Sequence, residues 1–532
     1  MLAAGCSRAG GGEAGTRHPG TIPHVLRVAI QDAPNDLDPL LNNNTTEGFV
    51  DSLLYSKLVT VDASGTRQLP ELAAVVPTTQ NGGVSRDGRT ITYHLRHGVR
   101  WSDGAPFTSR DVAFSWRAIM NPRNNVVSHT GYELVRAVET PDPYTAVFRM
   151  KQSFAPAVDT MFGESDDPYD VVPEHILGKL SSINTASLNA HPVGTGPFML
   201  KAWVRGDRMT LVPNPYYGIH AKPKLREIVI RFMPDENGSI LALRTHDVDW
   251  RYEASASQYP QLASIPGLRL VLQRQNRYER IEFQTRRPPF DDVRIRQAVA
   301  YAIDTGELVR TLTYGTATPA DQDLPPFMWA HASAVTRYPF DPAKARALFA
   351  AAGFRPGPGG YLVRDGKRLA FVLSTVSTNA TRVRGVTLVQ AMLRRVGLDV
   401  SIKTYLPSLY FAPKGEGGIV WGGKYDVSFD GWTAGIDPDD SSIFSCNAVP
   451  PNGNDTTLYC NHQVDVAERT ALDHFERPIR KRAYATIEAI VTRDEPQIYL
   501  WWPRQIQPVN PDFQNFDPNP VTEAWNAYAW DI

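Results

Sequence analysis

At 532 residues the chain has room for roughly three to four domains with real hydrophobic cores. Its 55 basic and 56 acidic side chains leave a formal charge of −1, interspersed without a basic tract, so nothing draws it in bulk to nucleic acid or an anionic membrane. Hydrophobic content of 42% with 21% charged residues is ordinary for globular domains, and no stretch reaches the roughly 18 apolar residues of a membrane span.

In chain order, Leu2-Ala3-Ala4-Gly5-Cys6 sets small residues before a cysteine and resembles the lipobox of bacterial lipoproteins. The polar, Gly-rich residues 7–20 suit a tether. Only five residues precede Cys6, without a charged region or apolar core. Two readings stay open: a lipidated cysteine with a true start further upstream, or a chance likeness. Val28 and Ile30 then mark a first strand, and Ile91, Tyr93 and Leu95 alternate with Thr92, His94 and Arg96 as a half-buried one. After an Asp103-Gly104 turn, Thr108 and Asp111 form a capping box opening a helix with Val112 and Trp116. Ile228, Ile230 and Phe232 predict a strand, followed by a helix through Ile240 and Leu243, and Ile281 to Phe283 restart the pattern. Pro288 and Pro289 force an extended approach to a helix capped by Asp291 or Asp292. Ile295, Val299, Ala302 and Ile303 make its apolar stripe, with Arg294 and Arg296 off it. From Leu369 the order is strand, helix (about 381–396), strand (400–405) and strand (425–429), which predicts an α/β lobe.

Five phrases occur in a fixed order. They are Trp101-Ser102-Asp103-Gly104 with Pro106-Phe107-Thr108 and Asp111-Val112; Gly194-Thr195-Gly196-Pro197-Phe198 with Asn214-Pro215-Tyr216-Tyr217; residues 286–304; Asp341-Pro342-Ala343-Lys344-Ala345 with Ala352-Gly353-Phe354; and residues 426–432 with Asp437-Pro438. Together they resemble the peptide/nickel class (family 5) of substrate-binding proteins, the extracytoplasmic receptors of ABC importers. The resemblance implies a type II periplasmic-binding-protein-like α/β fold. It would have an N-terminal segment (1–22), a first lobe (23–273) with a subdomain inserted at about 60–180, a second lobe (274–499) and a return to the first (500–532). Crossings are expected near 273–276 and 500–503, and a lobe built from discontinuous segments lets a hinge close on a ligand. It further implies a monomer that needs no cofactor and hands a peptide or peptide-like solute to a membrane permease.

For the site, the resemblance implies that Gly431, Trp432, Thr433 and Ala434 form a cleft loop beyond a strand ending at Asp430, pairing with ligand as an added strand would. The family's amine-binding acid is missing, with Gly435 in its place and Asp437, Asp439 and Asp440 nearby. Arg382 or Arg384 is the candidate for a ligand carboxylate, since arginine suits its bidentate geometry. Asn43, Thr45, Thr46, Glu47 and Tyr132 align with the first lobe's cleft wall. Cys446 and Cys460 pair if the compartment is oxidising, and otherwise stand as separate thiols. No metal site is expected: the 12 histidines are scattered, and His94 and His97 fall on opposite strand faces. A nickel chelate remains the family's other ligand. The rival class, a two-domain hydrolase, lacks a nucleophile elbow, a His-Glu-x-x-His helix or a phosphate loop in this sequence. A family member acting as a chaperone or sensor is the remaining alternative.

Overall fold

Two mixed sheets organise the chain, and two short crossings join them. The coordinates are a computed structural model describing residues 17–42, 44–165 and 168–532. The first sheet runs in the order Arg269–Arg274, Arg504–Val509, Trp250–Arg251, Val25–Ile30, Glu227–Phe232, Arg208–Pro213, Phe198–Val204. Val25–Ile30 lies parallel to both neighbours, with Val28 opposite Ile230 on one side and Trp250 on the other. Buried on both faces, it reads as a near-continuous apolar run interrupted by Arg27. The second sheet runs Thr318–Pro319, Gln497–Trp502, Arg277–Phe283, Val427–Thr433, Ala370–Val376, Asp399–Tyr405.

The chain leaves the first sheet at Arg274, enters the second at Arg277, and returns between Trp502 and Arg504. Arg274 pairs with Arg504 across antiparallel strands, so the two crossings lie side by side. That is the position from which a few residues could swing one lobe against the other. Residues 60–180 carry their own three-stranded sheet (Thr90–His94, Thr145–Met150, Val135–Asp142). They do not carry their own core: Ile91, Tyr93 and Phe148 pack into the same apolar cluster as Leu26, Val28 and Ile230.

Two of the ordered phrases meet at one seam. Gly196 N–H donates to the Leu54 carbonyl at 2.9 Å, and a Cβ on Gly194 would stand 1.9 Å from that oxygen, so no side chain fits. Fully buried Asn214 binds back with Nδ2 to Gly196 O and with its own N–H to Pro197 O, both at 2.9 Å. Ser102 N–H reaches Gly194 O at 2.9 Å. These phrases brace the first lobe and take no part in the cleft. In the second lobe Asp292 caps Val293–Ala302, and Ile295, Val299, Ala302 and Ile303 enter the core. Arg296 lies off that stripe yet is buried, because its guanidinium closes the carbonyls of Asp494 and Glu495 at the end of helix Arg477–Asp494.

Candidate functional site: the interlobe cleft

Between the lobes lies a cavity of about 790 Å³, inside the range of about 300–1,000 Å³ that small-ligand sites occupy. It opens at the carboxyl ends of strands from both sheets, where ligands of open α/β sheets bind. Thr433 ends one such strand with Ala434 just beyond it, and Glu253 follows Trp250–Arg251 on the other side.

The strand expected to stop at Asp430 continues to Thr433, with Thr433 opposite Arg277 and Trp432 opposite Tyr278. Gly431-Trp432-Thr433 is therefore strand, and its period of two sends neighbours to opposite faces. Thr433 lines the cleft. Trp432 turns away, packing with Tyr278, Tyr499 and Trp502 while the Arg280 guanidinium sits 5.6 Å from its ring centroid. Trp432→Ala is accordingly expected to cost roughly 3 kcal/mol, the low end for a large aromatic because the ring is half-buried. Denaturant unfolding reads that loss, and solute affinity should change little. An affinity loss at unchanged stability would contradict this placement.

Gly431 has a different role. Arg382 donates Nε and Nη2 to Glu279 at 2.8 and 3.0 Å, and Arg277 adds a third contact to Glu279 at 3.0 Å. A Cβ on Gly431 would lie 2.7 Å from both Arg382 Nη2 and Glu279 Oε1, so glycine leaves room for this ion pair. Burial works to raise the Glu279 carboxyl, but Arg382 and then Arg277 outweigh it and hold it below its usual range. Arg382 lines the cleft with its charge already answered, while Arg384 is exposed on the helix and outside the cleft lining.

The first lobe's expected wall is partly displaced. Thr45 lines the cleft; Thr46 does not, and Glu47 is turned inward to accept the Asn35 N–H at 3.0 Å. Asn43 lies outside the described residues. Tyr132 is core, its hydroxyl donating to Thr160 O at 3.0 Å and accepting from Phe162 N at 2.9 Å. Asp437 is held bidentately by Arg480, with Nη1 to Oδ2 at 2.8 Å and Nη2 to Oδ1 at 2.5 Å, away from the cleft. Cys446 and Cys460 are joined, with an S–S distance of 2.09 Å. Cys6 lies outside the described residues.

Sequence reasoning missed Glu253 and Glu523. Both line the cleft, and among the described residues neither enters an ion pair. Burial, then each other's charge, pushes Glu253 up to about 8, with Arg277 and Arg251 pulling it back; burial lifts Glu523 to about 7. Glu253 is held at φ 51°, a left-handed conformation of a kind that non-glycine residues adopt at a cost and that clusters at functional sites. Around the cavity acidic side chains outnumber basic ones seven to four. Lys57 answers two of them, lying 3.6 Å from both Glu164 and Asp170. The N-terminus of helix Ala380–Arg395 supplies the opposite polarity, with Asn379, Ala380 and Thr381 on the wall.

Two lobes on paired crossings, with a polar cavity between them reached from both sheets, define a solute-binding protein of the two-lobed periplasmic type. The chain belongs to the bacterial extracellular solute-binding proteins, family 5: the family model described as "Bacterial extracellular solute-binding proteins, family 5 Middle" matches residues 70–454. It is 24% identical to the oligopeptide-binding protein AppA of Bacillus subtilis over 95% of this chain and 91% of that protein. It is 27% identical to the glutathione-binding protein GsiB of Salmonella typhi over 89% of this chain and 88% of the relative. Its fold matches NikZ from Campylobacter jejuni, solved in complex with Ni(L-His), at a TM-score of 0.79 and 23% identity, covering 96% of this chain and 100% of that one. The family is one of receptors, and its members work outside the cytoplasm. No helix among the described residues is long and apolar enough to cross a membrane.

Proposed function

We propose that this chain is the receptor of an ABC importer for a short peptide or peptide-like solute with a free ammonium group, delivered to the membrane permease by the monomer. The observation that carries it is the acid-rich cleft with Glu253 and Glu523 outside any ion pair. They replace the acid that Gly435 does not supply. The helix N-terminus at Asn379 faces the solute's anionic end. The relatives' names, oligopeptide- and glutathione-binding, support the ligand class. No histidine lines the cleft among the described residues, which favours a peptide over a metal chelate held by imidazole.

The test is calorimetry with short peptides and their N-acetylated counterparts. Saturable one-to-one binding without turnover is expected for the free amines, and acetylation should weaken it sharply. Equal affinity for both would overturn the amine reading, and product formation would favour the hydrolase. The pH dependence has a definite sign. With carboxyls raised to about 7 and about 8, the ligand-free cleft holds protons that an ammonium must displace. Affinity should therefore rise from pH 5 towards pH 7–8, then decline as an α-amine with its pKa near about 8 loses its charge. In the same reading Cys6 carries a lipid anchor, so a Cys6→Ser variant should leave the membrane fraction. Retention there would refute the anchor.

A further inference from the structure

We infer that the second lobe holds a binding site for a divalent cation, calcium by its size, formed by Asp323, Asp440 and Glu488 with Glu468 beside them. The site lies outside the solute cleft and does not rest on the solute reading. The four acids come from separate elements: the loop after Thr318–Pro319, the residue preceding helix Ser441–Phe444, helix His462–Asp473 and helix Arg477–Asp494. All four are buried, Glu468 and Glu488 at 1% and 0% exposure. Seven of their carboxylate oxygens have no hydrogen-bond donor: one on Asp323 and both on each of Asp440, Glu468 and Glu488.

Buried charges need a partner or a metal, because taking a bare carboxylate out of water costs far more than folding can supply. The basic group acting on Asp323 is Arg280, and its guanidinium is already engaged by Asp430 at 2.9 Å and Glu282 at 2.7 Å. A second, independent sign comes from Tyr499. Its hydroxyl, on a residue 5% exposed, makes no hydrogen bond of good geometry, and after burial the strongest influences raising it are the charges of Asp323 and Glu488, ahead of Tyr278.

Oxygens of Asp323, Asp440 and Glu488 lie within 4.8 Å of one another, a spacing compatible with three ligands sharing one ion at the calcium–oxygen distance of about 2.3–2.6 Å. Ligand chemistry selects the ion. Magnesium needs a tighter octahedron at about 2.0–2.1 Å and keeps its waters, for which an all-carboxylate buried nest is ill suited. The alternative without metal is that Asp440 with Glu468, and Asp323 with Glu488, each share a proton, since burial raises all four carboxyls. Occupation has a structural consequence. Asp440 ends the stretch that begins at the cleft residue Thr433, and Arg480 already clamps Asp437 in between. A cation at Asp440 would secure the far end of that cleft wall.

The full chain, purified without chelator, should contain one calcium by elemental analysis. EDTA should lower its thermal unfolding midpoint, and Ca2+ should restore it where equal Mg2+ does not. Glu468→Gln should weaken calcium binding roughly tenfold or more, measured by titration calorimetry on chelated protein. Native protein free of metal, with a midpoint indifferent to both EDTA and Ca2+, would overturn the site in favour of shared protons, whether or not the variant folds. Calcium binding unchanged in a folded Glu468→Gln/Asp440→Asn variant would overturn it equally.

Discussion

Glutamine at both 253 and 523 should lower affinity for a free-amine peptide by roughly 30-fold to several thousandfold, the equivalent of about 2–5 kcal/mol for removing one side of a buried charge pair. The side chains keep their shape and lose only the negative charge, so cleft volume is preserved. The N-acetylated peptide provides the control. It lacks the group these carboxylates would meet, so its weak binding should be indifferent to the substitutions, and the difference between the two peptides isolates the charge contribution. Stability should move the other way at alkaline pH. Both carboxyls titrate above their ordinary 4.5, so the ligand-free fold binds protons that the unfolded chain has released. That contribution is fully present below about 4.5 and is lost as pH rises through about 7 and 8. Glutamine removes the penalty, so the variant should unfold at higher denaturant than the parent at pH 9. Unchanged affinity with a folded variant would place the ammonium elsewhere.

Glu279→Ala should destabilise the second lobe by roughly 3–5 kcal/mol, because it leaves the buried Arg382 guanidinium without its carboxylate. Against the about 5–15 kcal/mol that holds a typical domain, this is a loss on the scale of folding itself. Replacing Glu279 and Arg382 together with methionine should be far milder, since an apolar pair of similar volume needs no compensation. The pH sign is opposite to that of Glu253. Glu279 titrates below its ordinary 4.5, so the stabilisation is present above that value and is lost as pH falls through the lowered one. Urea unfolding of the three proteins between pH 4 and 8 checks both statements, and a single variant within about 1 kcal/mol of the parent would contradict them.

Much of the scaffold was legible because it rests on local rules. Asp292 caps a helix, as its place ahead of an apolar stripe implies, and the chain passes between the sheets at the residues between Arg274 and Arg277 and between Trp502 and Arg504. The site was less legible. Trp432 looked like a cleft residue because the strand was ended three residues early, and one misplaced boundary turns a side chain to the other face. Tyr132 sits in a region that aligned with the cleft wall, but sequence spacing does not say that its hydroxyl closes a turn between Thr160 and Phe162. Glu279 left a signal in the alternation Arg277-Tyr278-Glu279-Arg280, which puts Arg277 and Glu279 on the cleft face of one strand. Glu253 and Glu523 left none: 270 positions separate two acids that meet only because the C-terminal segment returns to the first sheet.

A crystal structure of the protein with a bound free-amine peptide tests the central claim most directly. The peptide should lie between the lobes, with its ammonium within hydrogen-bonding distance of Glu253 or Glu523 and its backbone beside Thr433 and Ala434. Peptide density outside that cavity, or an ammonium turned away from both glutamates, would contradict it.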